Sequence, residues 1–236
     1  MFILGLETAT RRASVLVAHD DQEVASWRAD ADQDLCQRLA AEAQDVLSRA
    51  QRQFDELDLV AVGLGPGSFT ALRIALATAK AIALARDLPL IGVSSLQAMA
   101  WQKRNRLTGL VCPMLDAKRE EVYGALYKAE GDSVERVESE FVASPETLAE
   151  RLSARPERAT LFGQLDRMPT HDIERAIPTT AALWRDEVVL PDALAVAQLA
   201  WRRYQAHGPD DIPSLRPIYV RMSYAEERSD IDLGLR

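Results

Sequence analysis

The chain has 236 residues, 47% of them hydrophobic and 27% charged, with a formal net charge of −8 at pH 7. This composition is ordinary for a folded protein, and the length suits one large domain or two of about 100–120 residues each. The acidic balance argues against strong nucleic-acid binding by this chain alone, because neutralising phosphates needs clustered Lys and Arg.

Cysteine usage and apolar runs further restrict the class of protein. Cys36 and Cys112 form no CxxC motif and the three histidines are isolated, so neither a disulfide framework nor a zinc site is indicated. The first ten residues lack the basic and long apolar segments of a signal peptide. The longest apolar run, residues 74–85, is shorter than the roughly 20 residues that span a bilayer. We expect a soluble, reduced, cytoplasmic protein.

The first half of the chain predicts three strands followed by alternating helices and strands. Apolar or alternating runs predict strands at residues 2–7, 13–18, 23–28, 57–64 and 89–93. Apolar residues at three- and four-residue spacing predict helices over 32–53, 69–86 and from Ser94 or Ser95 to about Arg106. The short polar links between the first three strands favour hairpins.

The second half repeats this pattern in a weaker form. It predicts strands at 110–115, 122–128, 133–142 and 159–163, and helices over 144–153 and 190–207, whereas residues 164–189 fit no element well. Asp116 ends its strand 109 residues after Glu7 ends the first strand, and a polar turn follows each acid. We therefore expect a duplicated β-β-β-α-β-α unit, with one lobe over 1–107 and a degenerate lobe with a tail over 108–236.

Three segments leave alternatives open. The helix over 69–86 is rich in Ala, so it is either a core helix or a helix buried partly by a partner protein. The loop before it, with Gly65, Pro66 and Gly67, is either a turn or a phosphate cradle at a helix N-terminus, and Ser68 and Thr70 are its candidate N-caps. The tail from Ser214 is expected to pack back on the body and fray from about Ala225; docking to a partner is the alternative.

Each half contains a hairpin in which the first strand ends in an acidic residue, followed by a turn and a second strand. Two such hairpins are typical of the actin-like (Hsp70-like) superfamily, in which they hold the phosphates and metal of ATP. Glu7 and Asp116 are the corresponding carboxylates; the alternative is that each hydrogen-bonds its own turn. Glu7 reaches one methylene further than an Asp, which displaces a carboxylate meant for a small, demanding Mg²⁺. The sequence contains no HExxH, GxSxG or GK[ST] motif, so zinc hydrolase, serine hydrolase and P-loop chemistry are not indicated.

Four stretches resemble one family. GLGPGSFTALRIALATAKAIA is similar to the GxGPGSFTGxRIG stretch of the TsaB (YeaZ) family of tRNA threonylcarbamoyladenosine biosynthesis proteins. ILGLETAT resembles that family's ILxIDTAT, DAKREEVY its DARxxEVY, and PIYVR its PxYLR. The matches occur in the family's order and extend over nearly the whole chain.

The resemblance implies a two-lobed α/β actin-like fold without catalytic activity of its own. Members of the family pair with the homologous subunit TsaD, which binds metal through histidines and transfers a threonylcarbamoyl group to N6 of adenosine 37 in tRNAs reading codons that start with A. The ATPase TsaE completes the bacterial complex, and tRNA is bound only through the complex. No cofactor of this chain's own is expected; ATP or ADP at the interface of the complex stays open.

The resemblance also implies which residues make contacts. Helices 32–53 and 69–86 would dock TsaD, or a second copy of the chain when TsaD is missing. The docking residues carried onto this sequence are Leu35, Arg38, Leu39, Glu42, Val46, Thr70, Ala71, Arg73, Ile74, Ala77, Thr78 and Ala81. The weaker candidates for nucleotide contacts are Glu7, Thr8, Gly65, Gly67, Ser68 and Asp116.

The sequence departs from the family pattern in three places. Glu7 replaces the usual Asp, Ala71 and Ala75 stand where Gly is common, and Asp34–Leu35 occupies the place of a frequent His-Thr pair. The Glu7 change weakens the case for a nucleotide site in this chain. Two alternative functions are also considered: a stand-alone ATP-binding phosphotransferase or ATPase of the superfamily, and a peptidase of the glycoprotease type.

Overall fold

The computed structural model describes residues 1–30 and 35–221, which form two five-stranded sheets and six α-helices. The predicted helix start at residues 32–34, the Asp34 departure and the predicted fraying from Ala225 lie outside the described residues. Over the described ranges, no helix combines the length and apolarity needed to cross a bilayer.

The first half contains β1 (Phe2–Glu7), β2 (Arg12–His19), β3 (Gln22–Asp30), α1 (Leu35–Arg49), β4 (Leu59–Gly63), α2 (Phe69–Arg86), β5 (Leu90–Val93) and α3 (Ser95–Lys103). The second half contains β6 (Gly109–Lys118), β7 (Glu121–Glu130), β8 (Ser133–Ala143), α4 (Pro145–Ser153), β9 (Ala159–Gly163), α5 (Thr170–Ala176), β10 (Ala181–Leu183) and α6 (Ala193–His207). The two halves therefore have the same order of elements.

The two sheets also share one topology. The first has the order β3-β2-β1-β4-β5 and the second β8-β7-β6-β9-β10. In each sheet, the first three strands of the chain order pair antiparallel. The fourth strand pairs parallel with the first, and the fifth pairs parallel with the fourth. This confirms the predicted duplication and the actin-like α/β fold, and it extends the repeat by one strand and one helix.

The stretch 164–189, which the sequence left unplaced, holds the second lobe's counterparts of α2 and β5. Helix α5 has 7 residues where α2 has 18, and β10 has 3 residues, none of them fully buried. Elements this short carry too few turns or alternations to give a periodic signal. The second lobe is thus shortened in these elements, while its strand order is complete.

Alternate residues of β4 belong to two different hydrophobic cores. Val60 and Val62 point to the core beneath α1 and α2, whereas Leu59 and Ala61 point to a central core with α6. Because β4 is buried on both faces, its sequence is a continuous apolar run. A third core lies between the second sheet and α4 and α5.

Two helices are exchanged between the halves. Helix α3 contacts β6, β7 and β8 of the second sheet, and α6 contacts β1, β2, β4 and β5 of the first. Residue 107 lies where the chain passes from the first sheet to the second, but α6 returns to the first sheet. The tail after α6 also packs on the first lobe through Ile212, Leu215 and Ile218.

Candidate functional site

The GPGSFT loop is packed tightly on the first hairpin turn. A Cβ on Gly67 would lie 2.1 Å from the Ala9 carbonyl oxygen, so only glycine fits there. The Ser68 amide donates a hydrogen bond to that same oxygen at 2.8 Å. Gly65 has φ +89° and precedes Pro66 through a cis peptide bond. The loop is therefore a structural turn that fixes where α2 begins.

Glu7 is fully buried at the end of β1. Its Oε1 accepts a hydrogen bond from the Ala9 amide at 2.6 Å, and its Oε2 accepts one from Ser95 Oγ at 2.7 Å. Burial raises the pKa of the carboxyl from 4.5 to about 7, while the hydrogen bonds from Ala9 and Ser95 act in the opposite direction. A Cβ on Gly63 would lie 2.0 Å from Oε2, so that glycine makes room for the carboxylate.

Thr8 and Gly65 are also used inside the fold. Thr8 is fully buried and donates from Oγ1 to the carbonyl of Ala71 at 2.9 Å, which joins the first hairpin to α2. The Gly65 amide donates to Ser95 Oγ at 3.1 Å, and the Ser95 amide donates to the Gly65 carbonyl at 2.8 Å. The Thr8 hydroxyl and the Gly65 amide and carbonyl therefore form their hydrogen bonds within the first lobe.

A cleft of about 350 Å³ lies between the two lobes at the predicted place. It brings together Gly67 and Ser68 from the first lobe with Asp116 and Gln164 from the second. Glu7, Thr8 and Gly65 do not line it. Of the six candidates for nucleotide contacts, three therefore face the cleft and three lie behind its wall.

The carboxylate of Asp116 is engaged by the turn that follows it. Its Oδ1 accepts a hydrogen bond from the Lys118 amide at 2.7 Å, and its Oδ2 lies 2.5 Å from Lys118 Nζ. The sequence left open the alternative that each hairpin acid hydrogen-bonds its own turn. The structure shows this arrangement for both acids. Arg11 crosses the cleft to Asp166 at 3.5 Å and links the lobes. Within the described ranges, no three His, Cys, Asp or Glu side chains converge as metal ligands.

Helix α2 presents a second candidate site on its solvent side. Its inward residues Ala71, Leu72, Ala75, Leu76, Ala79 and Ala83 are buried. Its outward residues recur at three- and four-residue spacing and are mostly small or apolar. We call Thr70, Arg73, Ile74, Ala77, Thr78, Ala81 and Leu84 the outer face of α2. Leu84, a large apolar side chain, is 66% exposed.

Four of the predicted docking residues lie in the core instead of at the surface. Leu35, Leu39 and Val46 of α1 and Ala71 of α2 are at most 7% exposed and pack beneath the two helices. Helix α1 has one apolar stripe, and the first sheet occupies it. Arg38 and Glu42 lie on its more exposed side and form an ion pair at 3.0 Å. Thr70, Arg73, Ile74, Ala77, Thr78 and Ala81 are at the surface or only partly buried.

The tail supplies residues that sequence reasoning did not place at this site. Tyr219 accepts a hydrogen bond from Arg73 Nε at 2.9 Å, and the Arg73 guanidinium lies 3.7 Å from the ring centroid of Phe69. Lys80 Nζ donates to the Leu215 carbonyl at 3.0 Å. Tyr219 of the PIYVR motif therefore lies against α2, and the tail packs back on the body as expected. The aromatic residue in that motif was the available signal.

Fold and site together define a two-lobed α/β protein of the actin-like class whose hairpin acids are engaged by their own turns. Residues 29–179 match the family model described as TsaD, tRNA N6-adenosine threonylcarbamoyltransferase. TsaB from Escherichia coli (strain K12) is 30% identical over 95% of this chain and 96% of its own, and TsaB from Bacillus subtilis (strain 168) is 25% identical over 97% of each. YeaZ from Pseudomonas aeruginosa superposes with a TM-score of 0.75 at 27% identity, over 92% of this chain and 99% of that one. The chain belongs to the TsaB (YeaZ) family, which confirms the resemblance seen in the sequence.

Proposed function

We propose that the protein is a non-catalytic scaffold and activating subunit in tRNA threonylcarbamoyladenosine biosynthesis. It docks a catalytic homologue of the TsaD type, which transfers the threonylcarbamoyl group to N6 of adenosine 37 in tRNAs reading codons that start with A. The observation that carries the proposal is the outer face of α2, whose residues at the protein surface are mostly small or apolar.

The chemistry of the outer face suits docking better than exposure to water. Ala77 and Ala81 are exposed and have only a methyl side chain, so a partner helix can approach the backbone closely. Leu84 adds a large apolar side chain at 66% exposure. Burying such a surface removes apolar area from water, which contributes about 25 cal/mol per Å². Apolar surface of this kind is typical of the interiors of stable interfaces.

The state of the hairpin acids supports a role without catalysis of its own. Phosphoryl transfer needs carboxylates placed to hold Mg²⁺ and its waters. Here Glu7 is buried with its pKa raised to about 7, and Asp116 pairs with Lys118 in its own turn. Holding a metal in the cleft would require both turns to give up these bonds.

The proposal also includes a second copy of the chain and the further partners of the complex. A second copy of the chain covers the outer face of α2 when the catalytic homologue is missing, so the isolated protein forms a homodimer. A TsaE-type ATPase joins the assembled complex, tRNA is reached only through that complex, and ATP or ADP belongs to its interface.

Sedimentation velocity of the protein mixed with its organism's TsaD-type transferase tests the proposal. A heterodimer at micromolar concentration is expected, and failure to form one would contradict it. Isothermal titration of the isolated chain with ATP and Mg²⁺ tests the phosphotransferase alternative, which tight binding with turnover would favour. Depletion of the protein followed by mass spectrometry of tRNA nucleosides should show loss of threonylcarbamoyladenosine.

A further inference from the structure

A cavity of about 620 Å³ opens between the C-terminal half of α6, the start of α3 and strand β8. It shares no lining residue with the interlobe cleft. Three arginines from two parts of the chain line it, Arg136 from β8 and Arg202 and Arg203 from α6, together with His207 of α6. Such a group of arginines is unexpected in a protein with a net charge of −8.

Not all of this positive charge is neutralised by the protein. Arg203 donates to the Gly92 carbonyl at 2.5 Å and pairs with Asp210, so its charge serves the fold. Arg136 has Glu140 at 3.8 Å. Arg202 forms no ion pair with any residue in the described ranges; its guanidinium lies 4.5 Å from the ring centroid of Trp101. Stacking on an aromatic face holds a guanidinium in place and leaves its N–H donors available.

The remaining lining residues are suited to the uncharged part of a ligand. Leu64, Val93, Leu199 and Ile218 supply apolar surface. The Gln97 side-chain amide also faces the cavity and makes no hydrogen bond within the described part of the chain. Sites for small molecules commonly have 300–1,000 Å³ and combine apolar walls with a few convergent polar groups.

We propose that this cavity binds a nucleoside phosphate, either free or as a unit of an RNA strand. Arg136 and Arg202 bind the phosphate oxygens, because a guanidinium offers paired N–H donors that match phosphate geometry. His207, whose side chain has no hydrogen-bond partner in residues 1–30 and 35–221, lies beside them. The apolar wall and the Gln97 amide take the nucleoside.

Titration calorimetry of the full chain with AMP, and separately with a short single-stranded oligoribonucleotide, tests this site. Arg202→Gln and Arg136→Gln should each weaken binding by about tenfold or more, since each removes a charge-assisted hydrogen bond. Arg175→Gln is the matched control: Arg175 is exposed on α5 and has no ion pair in the described ranges. Its affinity should equal that of the unmodified protein.

Each outcome decides the proposal. Binding of AMP alone supports a free nucleotide, and binding of the oligonucleotide alone supports an RNA strand. The proposal is overturned if neither binds at millimolar concentration, or if both arginine variants bind as well as the unmodified protein. Loss of binding in Arg167→Gln, in the interlobe cleft, but not in Arg202→Gln would also overturn it.

Arg136→Gln leaves the Trp101 stacking intact and so separates lost charge from lost packing. The titration contains no transferase, so its result is independent of the docking proposal.

Discussion

Ser95 Oγ donates a hydrogen bond to Oε2 of Glu7 at 2.7 Å, and this contact joins the end of β1 to the first residue of α3. The same hydroxyl accepts a hydrogen bond from the Gly65 amide, so the GPGSFT loop belongs to one network with them. Because α3 packs on the second sheet, the buried carboxylate of Glu7 links the first strand, the loop before α2 and the contact between lobes.

Glu7→Gln should change how stability depends on pH. The folded carboxyl keeps its proton up to about pH 7, whereas the unfolded one loses it near 4.5. Its contribution to the free energy of unfolding is therefore fully present below pH 4.5 and falls by roughly 3 kcal/mol as pH rises through 7. Glutamine does not titrate, so the variant should gain stability relative to the unmodified protein across this window.

Urea unfolding at pH 5 and at pH 7.5 measures this difference. Glu157→Gln, an exposed glutamate with no hydrogen bond or ion pair in the described ranges, is the control and should leave the pH dependence unchanged. Parallel pH profiles for Glu7→Gln and the unmodified protein would show that the buried carboxylate is not the titrating group.

Gly67→Ala should destabilise the protein by about 1–3 kcal/mol, because the new Cβ would overlap the Ala9 carbonyl oxygen and force the loop to move. Ser68→Ala is the matched control at the next position. Ser68 is exposed and its side chain makes no capping hydrogen bond, so we expect a change within about 0.5 kcal/mol. Thermal unfolding compares the two, and an equal loss in both variants would contradict the steric argument.

Leu39→Ala should lower the free energy of unfolding by about 2–5 kcal/mol, since Leu39 is fully buried in the core beneath α1. Gln44→Ala on the exposed side of the same helix is the control, because the Gln44 side chain makes no hydrogen bond within the described ranges. A surface substitution of this kind should change the free energy of unfolding by no more than about 0.5 kcal/mol. If Leu39→Ala were as stable as Gln44→Ala in chemical denaturation, the core placement would be incorrect.

Tyr219→Phe should weaken docking about threefold and leave stability nearly unchanged. The hydroxyl orients Arg73 on the outer face of α2. Because Tyr219 is 45% exposed, removing the hydroxyl disorders the Arg73 side chain more than it disturbs packing. Tyr204→Phe on α6 is the control, because Tyr204 lies across the first sheet from α2. Titration calorimetry with the TsaD-type transferase should detect the difference, and equal affinities of the two variants would exclude a role for the Tyr219 hydroxyl in docking.

The strands and most helices could be predicted because their patterns are local. Strands β1 and β4 are continuous apolar runs, and α1 has a clear apolar stripe. The exchange of α3 and α6 between the sheets could not be predicted, since a helix that is apolar around most of its surface does not indicate which sheet it will face. Elements α5 and β10 were missed because they are short.

The candidate site was predicted in position but not in orientation. The sequence placed Glu7 and Asp116 at equivalent hairpins, which the structure has at the ends of β1 and β6. Whether a carboxylate faces the cleft or its own turn depends on partners distant in sequence, such as Ser95, 88 residues after Glu7. Leu39 and Val46 were assigned to docking because the resemblance named the helix, although their spacing already matched the stripe that the sheet covers.

Affinity for the TsaD-type transferase, measured by titration calorimetry for Ala77→Glu and Ala206→Glu, tests the central claim most directly. Both alanines are exposed on long helices, but Ala77 lies on the outer face of α2 and Ala206 on α6, across the first sheet. We predict that Ala77→Glu weakens binding at least about a hundredfold, because a carboxylate would be buried without a partner, and that Ala206→Glu binds like the unmodified protein. Unchanged affinity in Ala77→Glu, or no binding by the unmodified protein, would contradict the account.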